Sequence, residues 1–326
     1  MRTARIKINA ESEEGVYHCI SRTVNGEFLF GDEDREVLRR QIWKVADYCG
    51  VEVLSYAILS NHFHLLVRVP VKEPVDDGEL LRRYERMYPQ PTKYQVARLE
   101  VIKAELESNG PEAQRWRERQ LRLMGDVSIF MKLLKMRYSI WYNRRHDRFG
   151  TLWSERFKSL LVETGRALQT AAAYIDLNCV RAGLAEDPKD YRFCGYAEAV
   201  AGNRTARKGI ESVMGEPWGE ASKGYRQILF GTGADPAHPG GLISRQAAAA
   251  VIRNGGELSL AEVLRCRIRY FTDGAVFGSH SYVSRQLNAH YLRCGAKRLA
   301  EPKPLPGIPG WTGLTIMRSC RSSAIA

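Results

Sequence analysis

Residues 51–69 read VEVLSYAILSNHFHLLVRV, two β-rich runs broken only by Ser60-Asn61. Branched and aromatic residues dominate both halves, so the spacing predicts a hairpin of strands Val51–Leu59 and His62–Val69. Successive strand side chains point to opposite faces, so His62 and His64 share a face while Phe63 turns to the core. Their Cα atoms then lie about 6.5–7 Å apart, close enough for two ring nitrogens to converge on one cation. A pair of strand histidines on a solvated surface is an equally open reading of His-x-His alone.

Working outward, Val16–Thr23 (VYHCISRT) predicts a first strand. A helix follows, capped by Asp32 or Asp34, with Leu38, Ile42, Val45 and Cys49 forming one apolar stripe that Gly50 ends. Pro70–Gly125 holds five prolines and charged stretches such as Arg115–Arg122, and is expected to be a polar insertion. A helix from about Val127 to Asn143, a basic turn Arg144–Gly150, a strand Phe157–Glu163 and a helix from Thr164 to about Val180 complete an α+β arrangement. Gly202–Gly256 is rich in Gly, Ala and Pro and reads as a linker (201–256) between a first domain (1–200) and a basic helical region (257–326).

The segment AAAYIDLNCVRAG (171–183) carries a second constellation. Tyr174, Asn178 and Arg181 fall at i, i+4 and i+7, opposite the packing face of Leu168, Ala171, Ala172 and Ile175. A phenol can attack a phosphodiester, a carboxamide oxygen can complete a metal shell, and a guanidinium can hold a phosphate bidentately. A tyrosine that merely covers the core is the competing reading.

The chain of 326 residues carries 49 Lys and Arg against 37 Asp and Glu, a net charge of +12. That excess favours a polyanionic partner without separating nucleic acid from an anionic membrane surface. Residues 201–326 hold 17 of the cations and 8 of the anions. No run of apolar residues is long enough to span a bilayer. The N-terminal stretch MRTARIKINAESEEG is not that of a secretory signal, so a cytoplasmic, nucleoid-associated location is expected. Seven dispersed cysteines without a Cys-x-x-Cys pair argue against a disulfide framework or zinc module. Arg144, Arg145 and Arg148 (in YSIWYNRRHDR) and Lys158 (in TLWSERFK) are candidate contacts to a phosphate backbone, while Trp141 and Trp153 are read as core packing.

These residues in this order resemble the REP-associated tyrosine transposases of the HUH superfamily. The likeness rests on Arg22, Asn61-His62-Phe63-His64-Leu65-Leu66, Gly150 to Trp153, Arg156-Phe157 and Tyr174 to Gly183, within residues 15–200. Ser60 and Cys179 stand where that family has prolines, and the insertion is longer than a minimal member needs. The resemblance implies a ferredoxin-like core, an antiparallel sheet with helices on one side. It implies a divalent metal, Mg²⁺ or Mn²⁺, held by His62, His64 and Asn178, with Tyr174 forming a 5′-phosphotyrosine link. It also implies single-stranded or hairpin DNA as partner, contacted by Arg22, Arg156 and Arg181 besides the basic residues above. No membrane partner is expected, and a homodimer is left open. Leu258–Arg267 and Ser281–Arg293, with Arg285 and Arg293 on the second, read as a helix-turn-helix or as a helical cap. A non-catalytic DNA-binding protein of the same fold is the alternative; a replication initiator would need a phosphate-binding Gly-x-x-x-x-Gly-Lys-Ser/Thr loop, which the sequence lacks.

Overall fold

The computed structural model describes residues 5–89, 93–230, 263–264, 268–294, 302–305, 311 and 313–317. Strands β1 (Gly15–Arg22), β2 (Glu52–Ile58), β3 (His62–Val69) and β4 (Lys158–Val162) form the first part of one sheet, and β5 (Val276–Ser279), β6 (Lys303–Pro304) and β7 (Leu314–Ile316) extend it. The order is β2-β3-β1-β4-β5-β7-β6. Every pairing is antiparallel except β4 with β5. This is the expected α+β class.

The hairpin forms as its sequence dictates. Leu59 N donates to His62 O at 2.8 Å, closing a two-residue turn over Ser60-Asn61. Arg22 pairs with His62 and Ile20 with His64, so β1 lies beside the histidine strand in a fixed register. Helix α1 (Asp32–Cys49) buries Leu38, Ile42, Val45 and Cys49, the stripe read from sequence. Its N-cap, however, is Gly31 rather than Asp32 or Asp34. Asp34 occupies the third helical position and accepts from Gly31 N at 2.9 Å, half of a capping box.

The expected insertion folds into α2 (Asp77–Met87), α3 (Lys93–Ser108) and α4 (Pro111–Leu121), and the helix after it is α5 (Val127–Arg145). Helices lie on both faces of the sheet, not on one side. Phe63 points to Trp153, with ring centroids 5.5 Å apart, and Trp153 packs on Tyr138 of α5 at 5.9 Å. The opposite face, bearing His64, meets Tyr174 of α6 (Arg166–Asp176). Trp153 is buried, as its core reading required.

Three further differences have physical causes. The helix expected to be capped by Thr164 is capped by Gly165 instead, and it breaks at Leu177. A separate short helix α7 (Asn178–Arg181) follows. Residues 204–230, read as part of a linker, instead form α9 (Arg204–Met214) and α10 (Trp218–Phe230), after α8 (Gly195–Val200). Gly209, one of the glycines that suggested a linker, sits where α9 crosses β2. A Cβ there would collide with the Leu54 carbonyl oxygen, so glycine permits the contact. Residues 231–256 of the linker reading lie outside the described residues.

The C-terminal region is not purely helical. Helix α11 (Arg269–Asp273) has only five residues, and α12 (His280–Cys294) follows β5, which separates the two. Strands β5 to β7 join the sheet edge, and a strand between helices departs from the helix-turn-helix reading. Most of Leu258–Arg267 lies outside the described residues. No helix among the described residues is long and apolar enough to cross a membrane.

Candidate active site

The site forms where β1 and β3 face α6. His18, Ile20 and Arg22 share a face with His62, His64 and Leu66, because partnered residues in an antiparallel pair point the same way. His18 and His64 are diagonal neighbours across the ladder, and His18 Nε2 lies 2.7 Å from His64 Nδ1. Their rings stack at 5.0 Å between centroids. His62 and His64 are edge-on at 5.2 Å, the proximity expected of alternate strand residues.

Tyr174 faces this cluster. Its ring is 6.2 Å from His18 and 6.2 Å from His64, edge-on to both. On its other side it stacks on Phe271 of α11 at 4.4 Å. The Arg181 guanidinium lies 4.0 Å from the Tyr174 ring centroid. Arg181 donates to the Tyr174 carbonyl at 2.6 Å and to the Leu264 carbonyl at 2.6 Å, so it clamps the helix end to the C-terminal segment. Tyr174 is 2 % exposed.

Burial governs the charge state of the imidazoles. Desolvation pushes His18 down to about 3, with the Arg181 charge adding in the same direction. His64 is held well below the usual histidine range by burial first, then by His18, His62 and two arginines. Both rings are therefore neutral at pH 7, the form in which imidazole offers a lone pair to a metal.

The tautomer of His62 follows from its neighbours. Asn61 Nδ2 donates to Gly26 O at 2.9 Å, which turns its carbonyl oxygen toward His62 Nδ1 at 2.6 Å. His62 must then donate from Nδ1, leaving the lone pair on Nε2. A donor nitrogen fixed by a carbonyl is the usual support for a ligating imidazole. His64 can present Nε2 in the same way if its Nδ1–H donates to His18. Asn178 is buried, and among the described residues neither its Nδ2 nor His18 Nδ1 has a hydrogen-bond partner. Imidazoles suit borderline divalent metals, and a carboxamide oxygen added to the His62–His64 pair would admit Mn²⁺ or Mg²⁺; Asn178 stands on α7, past the break that ends the helix of Tyr174. Among the described residues, no group of three or more His, Cys, Asp and Glu side chains is arranged to hold a metal.

Helix α6 is fixed to the sheet by a buried carboxylate. Asp176 accepts from Ser55 Oγ at 2.8 Å on β2, from Tyr196 N at 3.2 Å and from Tyr225 Oη of α10 at 2.5 Å. Desolvation raises its pKa to about 6, against the pull of these three donors.

The structure therefore brings together His62, His64, Tyr174 and Arg181. Arg181 sits on the tyrosine ring rather than open to solvent. Of the expected backbone-binding residues, Arg22, Arg144, Arg145, Arg156 and Lys158 are exposed. Arg145 pairs with Glu33 at 3.2 Å and Lys158 with Glu155 at 3.6 Å. Arg148 donates to Thr151 O at 3.1 Å. Arg285 and Arg293 lie apart from the site, pairing with Glu13 at 3.8 Å and donating to Lys7 O respectively. His18 was missed by sequence reasoning. The signal was the alternation of VYHCISRT, which puts residues 18, 20 and 22 on one face, but it becomes informative only once the register with His64 is known.

A hairpin carrying an Asn-His-x-His step, beside a strand with a third imidazole and facing a helical tyrosine, is the frame in which the comparisons with known proteins fall. Residues 12–78 match the model of the family described as Transposase IS200 like. That match includes His18, His62 and His64 and ends before Tyr174. Among solved structures, the chain is similar to one described as "Structure of the REP associates tyrosine transposase bound to a REP hairpin". The identity is 14%, over 62% of this chain and 87% of that chain, with a TM-score of 0.36. No curated protein matches.

Proposed function

We propose that the chain is a metal-dependent, single-strand DNA nicking and joining enzyme that acts through a 5′-phosphotyrosine intermediate. One observation carries the reading: a phenol, borne by a helix more than 100 residues after the hairpin, packs against the imidazoles of the histidine strands. The match to IS200-like transposases over residues 12–78 and the net charge of +12 support it.

Tyr174 Oη attacks the scissile phosphorus, forming an O–P bond as the bond to the 3′ oxygen breaks. The phenol loses its proton and the departing 3′ oxygen gains one. Because the phosphotyrosine ester conserves the phosphodiester, a second 3′-hydroxyl can reverse the step without a nucleotide cofactor. A divalent metal held by His62, His64 and Asn178 would supply charge compensation at the phosphate. His18 holds the His64 ring, Asn61 holds the His62 ring, and Arg181 sets a positive charge against the Tyr174 ring. Arg22, Arg144, Arg148 and Arg156 would contact the backbone of single-stranded or hairpin DNA.

The burial of Tyr174 under Phe271 favours a second reading, a non-catalytic DNA-binding protein that keeps the fold. One assay separates them. Labelled single-stranded hairpin DNA is incubated with the protein and Mn²⁺ or Mg²⁺, and a denaturing gel is searched for a covalent adduct. The enzyme reading expects an adduct that is lost with metal chelation. Binding without any adduct, in wild type and in Phe271→Ala alike, leaves the non-catalytic reading.

A further inference from the structure

Among the described residues, four large apolar side chains are more than 80 % exposed: Phe28 at 82 %, Tyr94 at 88 %, Phe149 at 90 % and Leu292 at 86 %. Single exposed apolar residues are ordinary. Phe28 and Phe149 are different because two loops that are bonded to each other carry them. Val24 N donates to Leu152 O at 2.9 Å, and Thr23 bridges Trp153.

Both loops are fastened on either side of the exposed ring. Next to Phe28, Leu29 O accepts from Tyr142 Oη at 2.9 Å, and Phe30 N donates to Ser60 O at 2.9 Å. Next to Phe149, Arg148 N donates to Asn143 O at 2.8 Å, and Gly150 O accepts from Asn143 Nδ2 at 3.0 Å. Tyr142 and Asn143 are consecutive, so the two rings flank one end of α5. The backbone is held while the rings stay in solvent.

The same loops touch the site. The Asn61 carboxamide donates to Gly26 O, two residues before Phe28, and accepts from the His62 ring. The same segments carry exposed cations, Arg22, Arg144 and Arg156, alongside the exposed acids Glu27 and Asp147. Flat rings among cations suit a polyanion with unpaired bases better than an apolar protein surface.

We propose that Phe28 and Phe149 form a stacking platform for unpaired bases next to the cleaved phosphate. The inference rests on the single-strand nuclease reading and specifies how the strand is held. Bases in a duplex already stack on their neighbours, so the platform discriminates for single strands. It does so without reading sequence, since every base has a π-face.

The test uses the full chain and a labelled single-stranded oligonucleotide of mixed sequence, with the matching duplex as control. Phe28→Ala and Phe149→Ala should each weaken single-strand binding by about 5- to 150-fold. Binding to the duplex should change by less than about twofold. Phe28→Trp and Phe149→Trp should restore binding, whereas leucine, apolar but without a π-face, should not. Both side chains are solvent-exposed, so circular dichroism should match wild type. Unchanged single-strand affinity in both alanine variants overturns the platform, as does an equal loss on the duplex. Covalent adduct formation is scored in parallel. Unchanged single-strand affinity in both alanine variants, with the wild-type adduct intact, removes this inference alone, and weakened single-strand binding in the variants without an adduct in wild type removes the nuclease reading alone.

Discussion

Two regions close on Tyr174 from opposite sides, and they are built differently. The sheet side, β1 and β3, presents His18 and His64 from strands whose register is fixed by continuous pairing. The C-terminal side presents Phe271 from a five-residue helix, beside strand β5, which shares only two paired positions with β4. The sheet side holds every imidazole of the site. Among the described residues, the C-terminal side sets a stacked aromatic against the ring, and the Leu264 carbonyl receives Arg181. On the proposed function, the chemistry belongs to a long-range, rigid ladder, and access to the tyrosine to a cover attached to the sheet edge.

The comparison breaks most sharply at the residue between the two regions. Tyr174→Phe keeps the ring packing on both sides and removes only the hydroxyl. Adduct formation should fall by on the order of 10³-fold or more, while hairpin DNA affinity holds. Near-wild-type nicking in that variant would leave the sheet side without its nucleophile.

Asp176 ties α6 to the sheet, so it tests whether the tyrosine is rigidly held there. Its folded pKa of about 6 lies above its ordinary value of 3.8. The folded chain binds the proton more tightly, so this contribution to stability is full below pH 3.8 and is lost as pH rises through 6. Asp176→Asn should remove that loss, on the order of 3 kcal/mol. Urea unfolding of both proteins at pH 4 and pH 7 reads it. A wild-type-like pH dependence in the variant would show that the carboxylate is not desolvated as described.

On the sheet side, His18→Phe preserves bulk but removes the partner of His64. Mn²⁺ affinity should drop about 10- to 100-fold by calorimetry, the usual cost of losing the group that orients a ligating imidazole. On the cover side, Phe271→Ala removes one stacked aromatic pair, worth about 0.5–1.5 kcal/mol. The adduct should then form about 2- to 12-fold faster, with Mn²⁺ affinity unchanged. A slower reaction would make Phe271 a support of the site instead of its cover.

The sheet side was legible in sequence because its signals are local. The alternation of VEVLSYAIL and HFHLLVRV gives strands and faces directly, and the two-residue break gives the turn. The α1 stripe was legible for the same reason. His18 was not, since only the cross-strand diagonal gives it meaning. The break at Leu177 was also hidden. Arg181, expected to reach outward along one stripe, instead folds back onto the Tyr174 carbonyl and ring once α7 begins a new helix. Glycine misled at 209, where it marks close helix–strand approach and not a linker. Phe28 and Phe149 carry no signal in the sequence, because exposure cannot be read from a neighbourhood of turns.

The most direct measurement is to digest the protein–DNA adduct with trypsin and locate the modified residue by mass spectrometry. The account predicts a 5′-phosphate on Tyr174, within the peptide that ends at Arg181. An adduct on another residue, or none under Mn²⁺ and Mg²⁺ with hairpin DNA even when Phe271 is replaced, would contradict it.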